Sequence, residues 1–236
     1  IKVPSDLDTY FKPAFKFRDC FWYEAFDPEF SAKQKINSCV SRDLADFGGG
    51  VTYADNSVNT LGALATTGNV YPCLTNEDVY SKVLDNAKKW LERYPTADII
   101  SISQDNGNEN SKGCTCKECT AINNSEGSST AAFLTFINKL AEDLKKDDPD
   151  IHVDALISKN AGRPPKTVRP ADNVIIRLSS NDSCFSHAVN ECSANRIDED
   201  IQEWGKICNN LYVWDCTTNF MFYLAPFPNL FTIYDN

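Results

Sequence analysis

No apolar run in this sequence approaches the roughly 20 residues that a helix needs to cross a bilayer, and no signal-peptide pattern stands at Ile1. The expectation is a chain without a membrane span, either a mature protein or a piece of one. Positive charge is scarce: 23 Lys and Arg stand against 33 Asp and Glu, a net charge of −10 at pH 7. Such a surface repels nucleic acid and anionic membranes and excludes both as expected partners. There is no serine nucleophile elbow and no phosphate-binding glycine loop. Histidine is nearly missing, with His152 and His187 alone. No flexible linker, repeat or low-complexity tract interrupts the chain, so one domain over 1–236 is expected, with 1–20 as an entry segment and 21–236 carrying its strand and helix units. At 42% hydrophobic and 11% aromatic residues, the chain can bury a sizeable core.

Cysteine is abundant. Cys20, Cys39, Cys73, Cys114, Cys116, Cys119, Cys184, Cys192, Cys208 and Cys216 are an even set spread over most of the chain. That distribution fits up to about five disulfides in an oxidising compartment. Two N-glycosylation sequons, at Asn123 and Asn181, are compatible with the same secretory route. The expectation is therefore a secreted, extracellular glycoprotein. Cys114-x-Cys116-x-x-Cys119 also fits zinc, with a fourth ligand such as Cys184 or His187. In a secreted, cysteine-rich chain disulfide use is favoured, and neither a metal nor a cofactor is expected.

Hydrophobic periodicity places a helix over 75–94, with Val79, Val83, Ala87, Trp90 and Leu91 on one face, Thr75 and Asp78 approximating a capping box, and Tyr94-Pro95 as the stop. A second helix over 129–146 carries Phe133, Ile137, Leu140, Ala141 and Leu144 at helical spacing. A third is marked by Ile197, Ile201, Trp204 and Cys208. A short helix is expected over 30–36 and a long loop over 48–70. Strands are expected at Phe21–Phe26, Ile99–Ser103, His152–Ser158, Val174–Leu178 and Leu211–Asp215. Strand and helix alternating from Thr75 to Asp215 predict an α/β fold with a parallel sheet.

Three of the apolar runs lead into an aspartate: Asp105, Asp182 and Asp215. Parallel α/β folds place their sites at the C-terminal ends of the strands, so these carboxylates gather, with Tyr23 or Glu24 and Trp214 as neighbours. Carboxylates beside an aromatic wall suit glycosidic cleavage. One protonates the leaving oxygen, the other supports the oxocarbenium-like centre or activates water, and the aromatic packs on the sugar face. Any one of these aspartates serves equally well as a helix cap or a partner for loop amides. His187, five residues after Asp182, is a site candidate or a loop hydrogen-bonding group.

The segments RDCFWYEAFDPEFSAKQKIN, YPCLTNEDV, ISISQDNG followed by CTCKEC, RPPKTVRPADNVIIRL and LYVWDCTTNFMFYLAPFPNL stand in that order. This ordered set resembles an uncharacterised secreted domain family related to TIM-barrel glycoside hydrolases, with endo-β-N-acetylglucosaminidases and α-glucuronidases as the nearest chemistry. The resemblance covers nearly the whole chain. It implies a (β/α)8 barrel acting on glycans or glycoproteins. By position, Asp105 matches the family's strand-end aspartate before the cysteine motif. Trp214 and Asp215 match its Trp-Asp pair, and His187 matches a loop histidine.

The chain also departs from that family. Asp182 stands where a glutamate is usual, and Ser158, Lys159 and Asn160 stand where a tyrosine-bearing strand end is usual. The 48–70 region lacks a His-Pro-Glu segment, and the chain stops at Asn236 before a final glutamate-ended strand. The barrel is thus expected to lack its last β/α unit, with another chain or a further segment closing it. A glycan on Asn181 would sit beside Asp182. The alternative reading is a catalytically silent, disulfide-rich structural or glycan-binding module.

Overall fold

The computed structural model describes residues 8, 12–15, 17–20, 23–36, 38–39, 51–57, 72–95, 97–103, 113–157, 162–180, 184–191, 196–215 and 232. The chain divides into two compact units, Ile1–Tyr53 and Ala54–Asn236.

In the first unit, the segment expected as a strand carrying Glu24 is instead a 3-10 turn, Tyr23–Phe26. Asp27 follows it and caps helix α1 (Pro28–Lys33), accepting from the Phe30 amide at 2.6 Å. A capping aspartate ahead of a proline at the first helical position starts a helix whatever the strand propensity of the aromatics before it. Ser31 is fully buried and donates to the Ala25 carbonyl, folding the turn onto the helix. Strand β1 (Ser38–Cys39) pairs in parallel with the start of β2 (Val51–Ser57). The 48–70 region is therefore not loop throughout: Val51 and Thr52 are strand-favouring residues that find partners in Ser38 and Cys39 of β1.

In the second unit, helix α2 (Glu77–Arg93) starts at Asn76, whose side chain accepts from the amides of Asp78 and Val79 at 2.8 and 3.2 Å. The cap is thus Asn76 rather than Thr75. Helix α3 (Lys117–Glu126) lies where the cysteine-rich stretch gave no periodic signal. It ends at Gly127, in the left-handed region at φ 63°, which glycine adopts without a Cβ penalty. Helix α4 (Ala131–Lys145) is the most apolar of the set and buries Phe133, Leu134, Phe136, Ile137, Leu140 and Leu144. Each such side chain contributes roughly 1.5–3 kcal/mol when removed from water. Helix α5 (Ile197–Gly205) buries Ile197 and Trp204, with the Trp204 indole N–H donating to the Gly162 carbonyl.

Four parallel strands run in sequence order: β3 (Ile99–Ser103), β4 (His152–Ile157), β5 (Val174–Ser179) and β6 (Leu211–Trp214). The α/β expectation holds here, with strands within a residue or so of the expected bounds. Side chains alternate across a strand, so each strand has two distinct faces. Ile100, Ile102, Val153, Ala155, Ile157, Val174, Ile176 and Leu178 share one core with α2, α4 and α5. Register puts Ser101, Asp154, Arg177, Tyr212 and Trp214 together on the opposite face.

The connection from 162 to 172 is fastened to the helices. Asn138 accepts from the Ala171 amide and donates to the Arg169 carbonyl, at 2.9 and 2.8 Å. Buried Asn173 donates to the carbonyls of Ala141 and Ile151. Glu126 accepts from the Thr167 hydroxyl and amide and from the Val168 amide. The Thr167 hydroxyl, then its amide, hold the Glu126 carboxyl below its ordinary value. A carboxylate depressed in the folded state adds stability that is present above its unfolded pKa and lost as pH falls through the folded value. Glu126→Gln is therefore expected to melt below the parent at pH 7, with the gap closing as pH falls below about 4.3. Thermal melts of the two proteins across that range check this; a gap independent of pH would remove the charge from the account.

Candidate active site at the strand ends

β5 and β6 end side by side, Ser179 paired with Trp214. Ser180 closes the pair. Its amide donates to the Trp214 carbonyl at 3.0 Å, and its hydroxyl reaches the Asp215 carboxylate at 2.5 Å. The Trp214-Asp215 dipeptide is thus held by the neighbouring strand exit. The Trp214 side chain is among the exposed large apolar groups at 36%. The Arg177 guanidinium stacks 4.8 Å from its ring centroid, a cation–π contact that orients the indole.

Arg177 leads inward from this edge to a residue that sequence reasoning missed. Asp154 is fully buried in the middle of β4. Its Oδ1 lies 3.1 Å from Arg177 Nη2 and accepts from Ser101 Oγ at 3.0 Å, while Ser101 Oγ accepts from Arg177 at 2.8 Å. Burial, together with the negative charge of Asp154, raises the Tyr212 phenol above its ordinary value. The signal was present in the sequence: an aspartate inside the run HVDALI is a charge in a strand that otherwise reads as core.

The other expected site residues are placed as follows. Asp105, Asn181 and Asp182 lie outside the described residues, as do Cys192, Cys216 and the side chains of Tyr23 and Cys39. Glu24 is exposed in the 3-10 turn of the first unit. His187 is exposed, with Nδ1 3.2 Å from Cys184 Sγ. These two groups therefore meet each other, and neither is the fourth partner of the CxCxxC motif. Asn123 is half-buried in α3, and its Oδ1 accepts from the Ala132 amide at 2.9 Å, satisfying the first turn of α4.

The CxCxxC motif meets Cys73. The sulfurs of Cys73, Cys114, Cys116 and Cys119 all lie within 4.8 Å of one another, an arrangement able to hold a metal ion. Cys116 caps α3, and its sulfur accepts from the Cys119 amide at 3.4 Å. That amide draws the Cys116 thiol down to about 7, whereas burial pushes Cys114 up to about 12. Cys20, Cys73, Cys114, Cys116, Cys119, Cys184 and Cys208 all carry free thiols, so the expected disulfide framework is not seen among them. Among the described residues no helix is long and apolar enough to cross a membrane.

No curated protein matches the chain in sequence. Among solved structures it is similar to Dispersin B, with a TM-score of 0.37 and 13% identity, over 68% of this chain. The chain spans 44% of that protein's length. A family model described as "Domain of unknown function (DUF4838)" matches residues 1–236, and the chain belongs to that family.

Proposed function

We propose that this chain is a secreted carbohydrate-active protein, resembling glycoside hydrolases that act on glycans by carboxylate acid/base catalysis. The observation that carries the reading is the Trp214–Asp215 pair at the exit of β6, with its carboxylate held by Ser180 at the exit of β5. An exposed indole offers a flat apolar surface to a sugar ring, and a carboxylate beside it reaches a hydroxyl or the glycosidic oxygen. Asp215, Asp105 and Asp182 are the proposed acid/base, stabilising and substrate-positioning groups, with Trp214 and His187 as the proposed substrate contacts of the second unit.

A (β/α)8 barrel over 1–236 is proposed as the scaffold. Two features of the second unit support it. The described strands β3 to β6 follow one another in sequence order, with no reversal among them of the kind that marks a doubly wound sheet. Helices α2, α4 and α5 also pack on one face, leaving Ser101, Asp154 and Arg177 on the other, as on the inner wall of a barrel.

The test is incubation with aryl β-N-acetylglucosaminides, aryl uronides and oligosaccharides of both classes, reading product release and quenching of tryptophan fluorescence. Product from any member supports the enzyme. Binding without product favours the silent glycan-binding module, for which the sequon at Asn181 speaks. Neither product nor binding overturns the carbohydrate reading.

A further inference from the structure

Cys73 stands 43 residues before Cys116, yet their sulfurs are 3.6 Å apart. With Cys114 and Cys119 they converge on one point, every sulfur within 4.8 Å of every other. A tetrahedral zinc with bonds of about 2.3 Å to sulfur requires sulfur–sulfur edges of roughly 3.8 Å. Two separate disulfides require only that each pair be close; nothing in that chemistry draws all four sulfurs around a common centre.

Thiolates also need donors around them, and the surroundings supply these. The Thr75 hydroxyl lies 3.2, 3.9 and 3.7 Å from the sulfurs of Cys73, Cys116 and Cys119. The Cys119 amide donates to Cys116 Sγ at the N-terminus of α3. Cys119 is buried and its three partners are half-buried, which shields the set from bulk water. Hydrogen bonds onto the ligating sulfurs orient them and temper their charge.

We propose that Cys73, Cys114, Cys116 and Cys119 bind one zinc ion as a closed tetrathiolate site. Four protein ligands leave no open position, which marks a structural site rather than a catalytic one. The ion fastens the segment ahead of α2 to the start of α3. It thereby fixes the far end of the connection that leaves β3 at Ser103 and contains Asp105 in sequence. The site stands independently of the carbohydrate reading, because no glycan contact enters the argument.

The experiment is elemental analysis of the full chain, purified without metal-affinity chromatography, together with cobalt substitution after reduction. About one zinc per chain is expected, and cobalt should give the charge-transfer and intense visible bands of a tetrahedral thiolate site. Cys116→Ser should lose the ion, Cys184→Ser should keep it, and Thr75→Val should weaken zinc binding on the order of 10–100-fold. If Cys116→Ser does not fold, the wild-type stoichiometry and cobalt spectrum decide alone. Peptide mapping of the non-reduced protein that pairs these four cysteines in disulfides, or protein that takes up neither ion, overturns the site.

Discussion

Arg177→Leu is expected to cost the protein about 3–5 kcal/mol of folding free energy, because it removes a guanidinium lying 3.1 Å from the fully buried Asp154 carboxylate. Asp154 has no exposed surface, and the Arg177 side chain keeps 13% of its own. Water therefore cannot take over when the guanidinium is removed. Ser101 does not compensate: its hydroxyl bridges the pair, accepting from Arg177 while donating to Asp154. One neutral hydrogen bond is worth only about 0.5–1.5 kcal/mol net. Asp154→Leu should also be destabilising, because it removes the buried carboxylate that Arg177 and Ser101 both engage. The double variant should recover much of the loss, because a buried ion pair replaced by apolar groups of similar volume is often neutral. Urea unfolding of the four proteins gives the coupling energy directly. Single-variant losses below about 1 kcal/mol would mean that solvent reaches the pair, as for ion pairs at a surface.

The same pair shows where reading the sequence stops. The strands Ile99–Ser103 and Val174–Leu178 were legible because apolar runs bounded by turn residues have few other fates. Helix α4 was legible from its periodicity. Register was not. Asp154 meets Arg177 because β4 and β5 are offset as they are, with Asp154 opposite Ile175 and Leu156 opposite Arg177, and no local signal reports that offset.

Helix α3 was missed for a different reason. Only Cys119 among its ten residues is buried, so the sequence KECTAINNSE has no apolar stripe to find, and the capping sulfur of Cys116 is not a group one looks for. The turn at Tyr23–Phe26 looks like a strand in sequence because aromatic residues favour strands in general, while the decisive group, the Asp27 cap, lies outside the run. The 48–70 stretch reads as loop from its sequence because β2 is held by pairing with β1, a two-residue strand, rather than by a hydrophobic pattern.

The cysteine cluster is the clearest instance of a non-local fact. CxCxxC announces itself, but the choice of fourth partner among the remaining cysteines and His187 depends on which segment the fold brings up. Cys73 is delivered by the segment that ends in the Asn76 cap of α2, and Cys184 and His187 are engaged with each other. Spacing alone carries no signal that Cys73 is the sulfur that joins the motif.

Asp215→Asn carries the largest expected effect on activity: a fall in kcat/KM of about 10²–10⁴-fold on any glycoside the protein cleaves. The substitution keeps shape and keeps an oxygen for the Ser180 hydroxyl, which now stands 2.5 Å from Oδ1. Strand β6 should therefore stay seated, and the melting temperature should remain close to that of the parent. What disappears is the negative charge and the ability to exchange a proton, so the loss belongs in kcat. A raised KM with kcat intact would instead identify Asp215 as a group that holds the sugar equally in ground and transition state. Asp105→Asn, two residues beyond β3 in the sequence, is expected to act in the same way. Trp214→Ala removes the ring that stacks on Arg177; if that ring is the proposed sugar platform, its cost should appear mainly in KM, with the guanidinium exposed where the indole lay. Steady-state kinetics on the three variants, with melts run in parallel, separates these roles. Undiminished turnover in both aspartate variants would remove the strand-end carboxylates from the mechanism and leave Trp214 as part of a binding surface.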